Sequence, residues 1–318
     1  MPNNEIEKAV AILRAGGLVA FPTETVYGLG ADASNPDAVK KIFIAKGRPQ
    51  DHPVIVHLPD SSHLERWAGE IPGAARELAR RFWPGPLTLI LRRAPRVPDA
   101  VTGGQDTVGL RVPAHPVAQA LLQTFGGGIA APSANRFGRL SPTTAEDVRA
   151  ELGDRIDGIL DGGSCAVGIE STILDVSSEH PVLLRPGKIT AAEIEAILGT
   201  TLRKPEASGT RAPGMLASHY APQTPLLVTR NLPECIRSLY RQNQRVAVLA
   251  YQSSPDGGLQ MVWNAAPVKA ADYARELYAN LRKLDRSGCD VIVVEEPPLG
   301  EEWAAVRDRL SKAAAKKT

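Results

Sequence analysis

The stretch FPTETVYGLGADA, residues 21–33, packs an apolar entry, a proline, three hydroxyl side chains, two acids and two glycines into thirteen positions. Taken alone, it reads as the end of a short strand (LVAF, residues 18–21) running into a turn made by Gly28 and Gly30, with the threonines satisfying backbone groups. Its surroundings set the fold class. Upstream, EIEKAVAILRAGG places Ile6, Val10 and Leu13 on one helical face and stops at paired glycines. Downstream, NPDAVKKIFIAKG has Asn35 to cap a helix, Pro36 for its first position and Gly47 to end it.

Short apolar or alternating runs follow: PVIVHL, PLTLIL, TVGLRV, GIAAPS, DGILD, STILDV and PVLLR, each bounded by Gly, Pro or Asp. Between them lie helical patterns at 73–82, 116–125 and 143–152. Strand and helix signals alternate through the first two hundred residues, which predicts a mixed α/β domain over 1–204. From 205 to 224 the pattern breaks into proline and small polar residues without a period of 2 or 3.6, the mark of a linker or a lid. Residues 225–318 then read as a smaller Rossmann-like α/β unit with largely parallel strands, but without the G-x-G-x-x-G of a dinucleotide site. The final KAAAKK reads as a frayed helical tail.

Composition narrows the function. With 37 Lys and Arg against 35 Asp and Glu the formal net charge is +2, so no overall excess drives the molecule onto nucleic acid or an anionic membrane. The three cysteines, Cys165, Cys235 and Cys289, are far apart and lack C-x-x-C spacing, which disfavours a disulfide scaffold or a zinc site. No apolar run approaches the roughly 20 residues needed to span a bilayer, and a cytoplasmic location is expected.

Four constellations carry chemistry. In KGRPQDHPVIVHL, Lys46, Arg48 and His52 share a Gly/Pro loop, with His57 near the end of the following strand. Lysine as a mobile point charge and arginine as a planar fork suit phosphate, although a solvated basic loop has the same composition. The His52/His57 pair lacks a third ligand at metal-binding spacing. In APSANRFGRLSPTT, small residues from Ala130 allow close backbone approach, while Ser133, Asn135 and Ser141 beside Arg139 offer polar partners for a nucleotide. No G-x-x-x-x-G-K-[ST] loop occurs, so that route to ATP is excluded. In TVGLRVPAHP, Thr107 and Arg111 are four apart and point to one face of a strand, and His115 suits a helix cap. DGGSCAVGIESTILDV followed by LLRPG brings a permissive glycine loop to Ser171 and places Arg185 after a strand; Cys165 in that loop is a candidate nucleophile without a histidine beside it in sequence.

Taken together and in this order, FPTETVYGLGADA, KGRP, WPGPLTLIL, VGLRVPAHP, APSAN, GIESTILDV and LLRPG closely resemble the YrdC-like family in its two-domain form, over residues 17–222. The resemblance implies a YrdC-like mixed twisted sheet and an enzyme, a nucleotidyltransferase, that joins L-threonine, bicarbonate and ATP into a threonylcarbamoyl adenylate with release of pyrophosphate. That product serves tRNA modification, which implies a tRNA-modifying transferase as partner and leaves direct tRNA binding open, as it leaves open a purely RNA-binding module or another carbamoyl-transferring enzyme. It implies that Lys46 and Arg48, with Ser133 and Asn135, hold ATP phosphates, with Mg2+ carried by those phosphates. Thr107, Ser141, Arg185 and, from the linker, Tyr220 or His219 fall at nucleotide-contacting positions. Thr25, His57, Arg111, Ala131 and Ser171 fall at threonine-binding ones. Where the family has Asn, this chain has His52, which implies a protonatable phosphate contact and a pH-dependent ATP affinity between pH 6 and 8. Glu24 reads equally as a general base for the amine and as a salt-bridged structural acid.

Overall fold

A computed structural model describes residues 3–206, 209–251 and 261–315, and these divide into two compact units. The first comprises residues up to 137 and 141–215; the second comprises 138–140 and the residues from 216 onward. Of the expected segments, Ala207 and Ser208 near the start of the linker, Leu259 and Gln260 of LQMVW, and Lys316 onward in KAAAKK lie outside the described residues.

In chain order the first unit runs α1 (Asn3–Arg14), β1 (Val19–Phe21), β2 (Gly28–Asp32), α2 (Pro36–Lys46), β3 (Ile55–His57), α3 (Leu64–Trp67), α4 (Gly73–Phe82), β4 (Leu87–Arg92), α5 (Asp99–Thr102), β5 (Thr107–Arg111), α6 (Pro116–Phe125), β6 (Ile129–Ala130), α7 (Ala145–Leu152), β7 (Gly158–Ile159), β8 (Thr172–Asp175), β9 (Val182–Arg185) and α8 (Ala191–Leu198). The expected caps do their work. Asn35 accepts the N–H groups of Asp37 and Ala38, and Gly47, at φ 63°, closes α2 in the left-handed region that glycine enters without strain. His115 accepts the N–H of Val117 at the start of α6. An unforeseen capping box, Thr190 with Glu193, starts α8.

The strands form one mixed sheet in the order β7-β1-β2-β6-β3-β5-β4-β8-β9. The pairs β1/β7, β3/β5 and β4/β8 are parallel, and the others are antiparallel. Period-two alternation sends Leu29, Ala31, Val54, Val56, Leu87, Leu89, Leu91, Val108 and Leu110 into the main core, where they pack with residues of α2, α4 and α7. The opposite face is split. At the β1/β2/β6 end Val19, Phe21 and Ile129 pack with Ile6, Val10 and Leu13 of α1 and Leu121 and Leu122 of α6. At the other end only a thin apolar layer exists: Ile55, Ile90, Ile173 and Leu184, covered by Ala212 and Met215. On this thinly covered half, β5 presents Thr107, Gly109 and Arg111, β4 presents Thr88, and β3 presents His57.

The opening stretch requires a correction. Gly28 and Gly30 are not a turn: they lie in β2, paired Phe21 with Gly28 and Val19 with Gly30. Their role is close packing against the ring of Phe21. A Cβ on Gly30 would stand 2.9 Å from both Phe21 and Ile129 side chains and 3.1 Å from the Val19 carbonyl. Gly30→Ala is therefore expected to destabilise the protein by about 1–3 kcal/mol through overpacking, measured as a lower urea midpoint with an unchanged m-value.

The second unit carries β10 (Leu226–Thr229), α9 (Leu232–Arg241), β11 (Val246–Ala250), β12 (Val262–Ala265), α10 (Ala270–Asp285), β13 (Val291–Glu295) and α11 (Ala304–Ala314). Its strands are all parallel, in the order β10-β13-β11-β12, as the βα alternation predicts. Leu232, Ile236 and Leu239 of α9 pack on Val246, Val248, Val291 and Val293.

Candidate active site

Three loops of the first unit meet over the thinly covered half of the sheet. The first is the Thr23–Val26 turn. Thr23 Oγ1 donates to the Val26 carbonyl at 2.7 Å and accepts the N–H groups of Thr25 and Val26. With its proton so committed, Thr23 must accept from Thr25 Oγ1, 2.8 Å away. Thr25 Oγ1 in turn accepts from Arg111 at 2.9 Å, so what Thr25 retains for a ligand is acceptor capacity, suited to an amine N–H.

Arg111, at the end of β5 beside His57 of β3, is almost wholly buried. Its guanidinium donates to Glu24 at 2.6 Å, to Thr25 and, through Nε, to the Gly85 carbonyl at 3.2 Å. Glu24 also accepts the N–H of Ala114 at 3.0 Å. One of its oxygens is thus held in a buried ion pair and the other by a backbone N–H, the arrangement expected of a structural acid. His57 packs edge-on to Phe21 at 5.9 Å. Burial first, and then the Arg111 charge, push its imidazole down to about 3, so it is neutral at any physiological pH.

The second loop holds Ser133 and Asn135. Lys46, the last residue of α2, is buried, and its ammonium donates to the carbonyls of Ser133, at 2.5 Å, and Asn135. The Ala134 N–H reaches the Tyr27 carbonyl at 2.8 Å and the Leu29 N–H the Pro132 carbonyl at 2.7 Å, which ties this loop to the segment that leads from the Thr23–Val26 turn into β2. Ala131 bonds through its N–H to the Ile55 carbonyl, and its methyl lies against Gly28. Burial, with the Arg48 charge second, holds the Lys46 ammonium well below the usual lysine range. Arg48 donates to the Pro53 carbonyl at 2.9 Å and lies over the Phe137 ring at 5.8 Å. His52 packs edge-on to the same ring at 5.5 Å.

The third loop precedes β8. Ser171 Oγ lies 2.8 Å from Thr88 Oγ1, and Arg185 grips Ser171 twice, Nε to its carbonyl and Nη2 to its Oγ, both at 3.0 Å. Arg185 also donates to the Pro213 carbonyl at 3.1 Å, which carries residues 212–215 across the face. Ser141 Oγ donates to Glu170 at 2.5 Å. Farther along the same segment, Gln105 brackets Arg211: its amide donates to the Arg211 carbonyl at 3.1 Å and accepts the Arg211 N–H at 2.8 Å.

Lys46, Arg48, His52, Ser133 and Asn135 thus form one contiguous group, Thr25, His57, Arg111 and Ala131 a second, and Ser141, Ser171 and Arg185 a third, all within the first unit. Thr107 is not joined to them: it stands at the opposite end of β5, four residues or roughly 13 Å from Arg111. Tyr220 belongs to the second unit, where its ring is buried beside His219 at 4.1 Å and Tyr278 at 6.1 Å, under the Arg309 guanidinium at 5.2 Å. Cys165 is poorly suited to be a nucleophile. It is buried, and desolvation pushes its thiol up to about 12. Thr88 and Glu170 escaped the sequence reading. A hydroxyl in the otherwise apolar LTLIL strand was the available signal for Thr88; Glu170 had none beyond its place before Ser171.

His52 stands beside Arg48 in a partly buried position. Partial burial, followed by the Arg48 charge, lowers its pKa from the ordinary histidine value, so the free protein favours the neutral imidazole more than an exposed histidine would. If bound phosphate raises this lowered pKa, ATP affinity should strengthen as pH falls toward the free-protein pKa and level off below it, and His52→Asn should lack that increment. Dissociation constants for ATP between pH 5 and 8 in both forms check this.

Among the described residues, no three His, Cys, Asp or Glu side chains converge to bind a metal ion, and no helix is long and apolar enough to cross a membrane. The family model Sua5_yciO_yrdC, described as "Telomere recombination", matches residues 11–187, and the model described as "Threonylcarbamoyl-AMP synthase, C-terminal domain" matches 189–315. A Bacillus subtilis threonylcarbamoyl-AMP synthase is 46% identical over 98% of this chain and 93% of its own length. A Pyrococcus abyssi protein of the same name is 43% identical over 98% and 94%. The solved structure of P. abyssi Sua5 complexed with L-threonine superposes with a TM-score of 0.93 at 41% identity, covering 99% of this chain and 95% of that one.

Proposed function

We propose that this chain, which belongs to the Sua5/YciO/YrdC family, joins L-threonine, bicarbonate and ATP into threonylcarbamoyl-AMP with release of pyrophosphate, for the threonylcarbamoyl modification of tRNA. One observation carries the reading: on a single sheet face, a buried Arg111 with hydroxyl partners adjoins a loop pinned by Lys46 and flanked by Arg48. The threonine complex of the P. abyssi relative supports the amino-acid half.

Threonine would lie over β5 and β8. The donors of Arg111 and the Ser171 hydroxyl would take its carboxylate, while Thr25 Oγ1 accepts from its amine. Because Glu24 neutralises Arg111, the substrate carboxylate meets a polarised fork rather than a bare cation, and the nearby amine is not crowded by net positive charge. A neutral amine is required: its lone pair attacks the bicarbonate carbon, water leaves, and a carbamate results. The carbamate oxygen then attacks the α-phosphorus of ATP while the bond to the β,γ-pyrophosphate breaks. Arg48 and Lys46 would stabilise the negative charge that gathers on the leaving pyrophosphate, and the backbone of the Ser133–Asn135 loop would fix the triphosphate. Magnesium would be held by the phosphates themselves, since no protein ligand cluster faces them among the described residues; it supplies charge neutralisation when bound. Carbamate and mixed anhydride both hydrolyse readily, so the reaction needs a cover, and residues 210–215, fastened by Gln105 and Arg185, are the proposed one. A transferase that accepts the adenylate is the expected partner.

The test is incubation with ATP, bicarbonate and a panel of amino acids, followed by mass analysis. Threonine should give a threonylcarbamoyl adenylate and one pyrophosphate per adenylate. Adenylates formed equally with every amino acid, or only without one, would overturn the proposal.

A further inference from the structure

The second unit contains a cavity of about 820 Å³ that no part of the proposed reaction uses. It is a groove. One wall is β10, the terminal strand of its sheet; the other is the face of α11 that carries Arg307, Leu310, Ser311 and Ala314, residues spaced three and four apart. The small Ser311 and Ala314 leave the space beside the strand open.

Among the described residues, no other segment pairs with the outer edge of β10. The Ile292 N–H bonds to the Pro225 carbonyl and the Glu296 N–H to the Thr229 carbonyl, so the residues between, Leu226 and Val228, direct their backbone N–H and C=O groups to the outer edge. Edge strands are ordinarily blunted by shortness, a charge, a proline or a cover. The first unit obeys this: β7 has two residues, and β9 is covered by Arg203, which pairs with Val182 and exchanges backbone bonds with Pro181 and Leu183. The sequence LLVT of β10 carries no such guard, and Leu227 is 42% exposed on it. Charge is uneven along the groove. At the Thr229 end stand Arg230 and Arg307 against one acid, Glu296. Arg230 takes that acid in an ion pair, and Arg307, which donates to the carbonyls of Pro298 and Gly300, also feels its charge, so two cations share one carboxylate and a net positive charge remains at that end.

We propose that this groove binds an extended peptide segment of another protein by adding it as a strand to β10, with the segment's alternate aliphatic side chains placed against Leu310 and Ala314 on one side and Leu227 on the other, and with an acidic residue at the Arg307 end. Main-chain bonds to Leu226 and Val228 supply affinity that tolerates sequence, and the aliphatic and acidic positions supply selectivity. This makes the second unit a docking module, independent of how the first unit reacts.

The experiment uses the full chain and a fluorescent seven-residue peptide of alternating Val and Thr ending in two Asp. Fluorescence anisotropy should show saturable binding, and hydrogen exchange should slow at Leu226 and Val228. N-methylation of alternate peptide amides should weaken binding about tenfold or more, since each lost backbone bond is worth about 1 kcal/mol. Val228→Pro, which removes an outward N–H at an edge where proline is tolerated, should do the same. Ala314→Arg, which fills the groove from the helix side, should also block binding if the strand variant proves unstable. Arg307→Glu should reverse the preference between peptides ending in Asp and in Lys. Absence of binding at millimolar peptide, or binding indifferent to N-methylation and to Ala314→Arg, would overturn the proposal. So would a dimer abolished by Val228→Pro, which would identify a second copy of the chain as the occupant.

Discussion

Arg111→Ala is expected to remove threonine-dependent turnover, by a factor of at least about 10² to 10³, and to destabilise the first unit at the same time. Two physical effects coincide. The catalytic loss follows from deleting the fork that would take the substrate carboxylate and that orients Thr25 Oγ1 at 2.9 Å. The stability loss follows from Glu24, which is left buried with only the Ala114 N–H on its carboxylate. Breaking a buried pair by removing one partner costs about 3–5 kcal/mol. Thermal denaturation separates the two effects. The double variant Glu24→Gln with Arg111→Ala should regain a large part of the stability, because no unpaired charge remains, yet recover no activity. If the single variant bound threonine as the wild type does, Arg111 would have no part in the site.

Arg48→Ala should produce the complementary defect. Arg48 closes the KGR loop by its bond to Pro53 and lies over Phe137. It is the second-largest influence lowering the Lys46 pKa, so its loss also frees Lys46 to hold its proton more firmly. Lys46 remains fastened to Ser133 and Asn135, which preserves the loop. The expected result is a fall in ATP affinity and in adenylate formation of about 10²-fold or more, with threonine binding changed less than about threefold. Calorimetric titration with each ligand in turn reads both quantities. Equal losses toward ATP and threonine would indicate collapse of the shared loop rather than a phosphate contact.

Much of the fold was legible because its signals are local. Asn35, Pro36 and Gly47 bound α2 through capping chemistry that acts within one turn, and the apolar runs bounded by Gly and Pro became strands. What escaped was set by distant partners. Gly28 and Gly30 read as turn residues because nothing nearby shows that Phe21 lies across them from the neighbouring strand. Glu24 had two readings until the fold brought Arg111 to it from eighty-seven positions away. The protonation of His52 could not be read from its identity, because burial and the Arg48 charge, both tertiary, lower its pKa. Thr88 entered the site only when β4 and β8 were paired. The residues named from the motifs fell largely on one face of one unit; Thr107, named from its spacing to Arg111, stands at the far end of the same strand, and Tyr220, given its nucleotide role by resemblance alone, belongs to the second unit.

The central claim is that one sheet face holds amino acid and nucleotide side by side. Its most direct test is a crystal structure of the chain with L-threonine and a non-hydrolysable ATP analogue bound together. The account predicts the threonine carboxylate on Arg111 and Ser171, the triphosphate against Arg48 and the Ser133–Asn135 loop, and the amine turned toward the α-phosphate with room for a single carboxyl group between them. Threonine and nucleotide bound on opposite faces of the sheet, or with Arg111 and Arg48 touching neither, would contradict it.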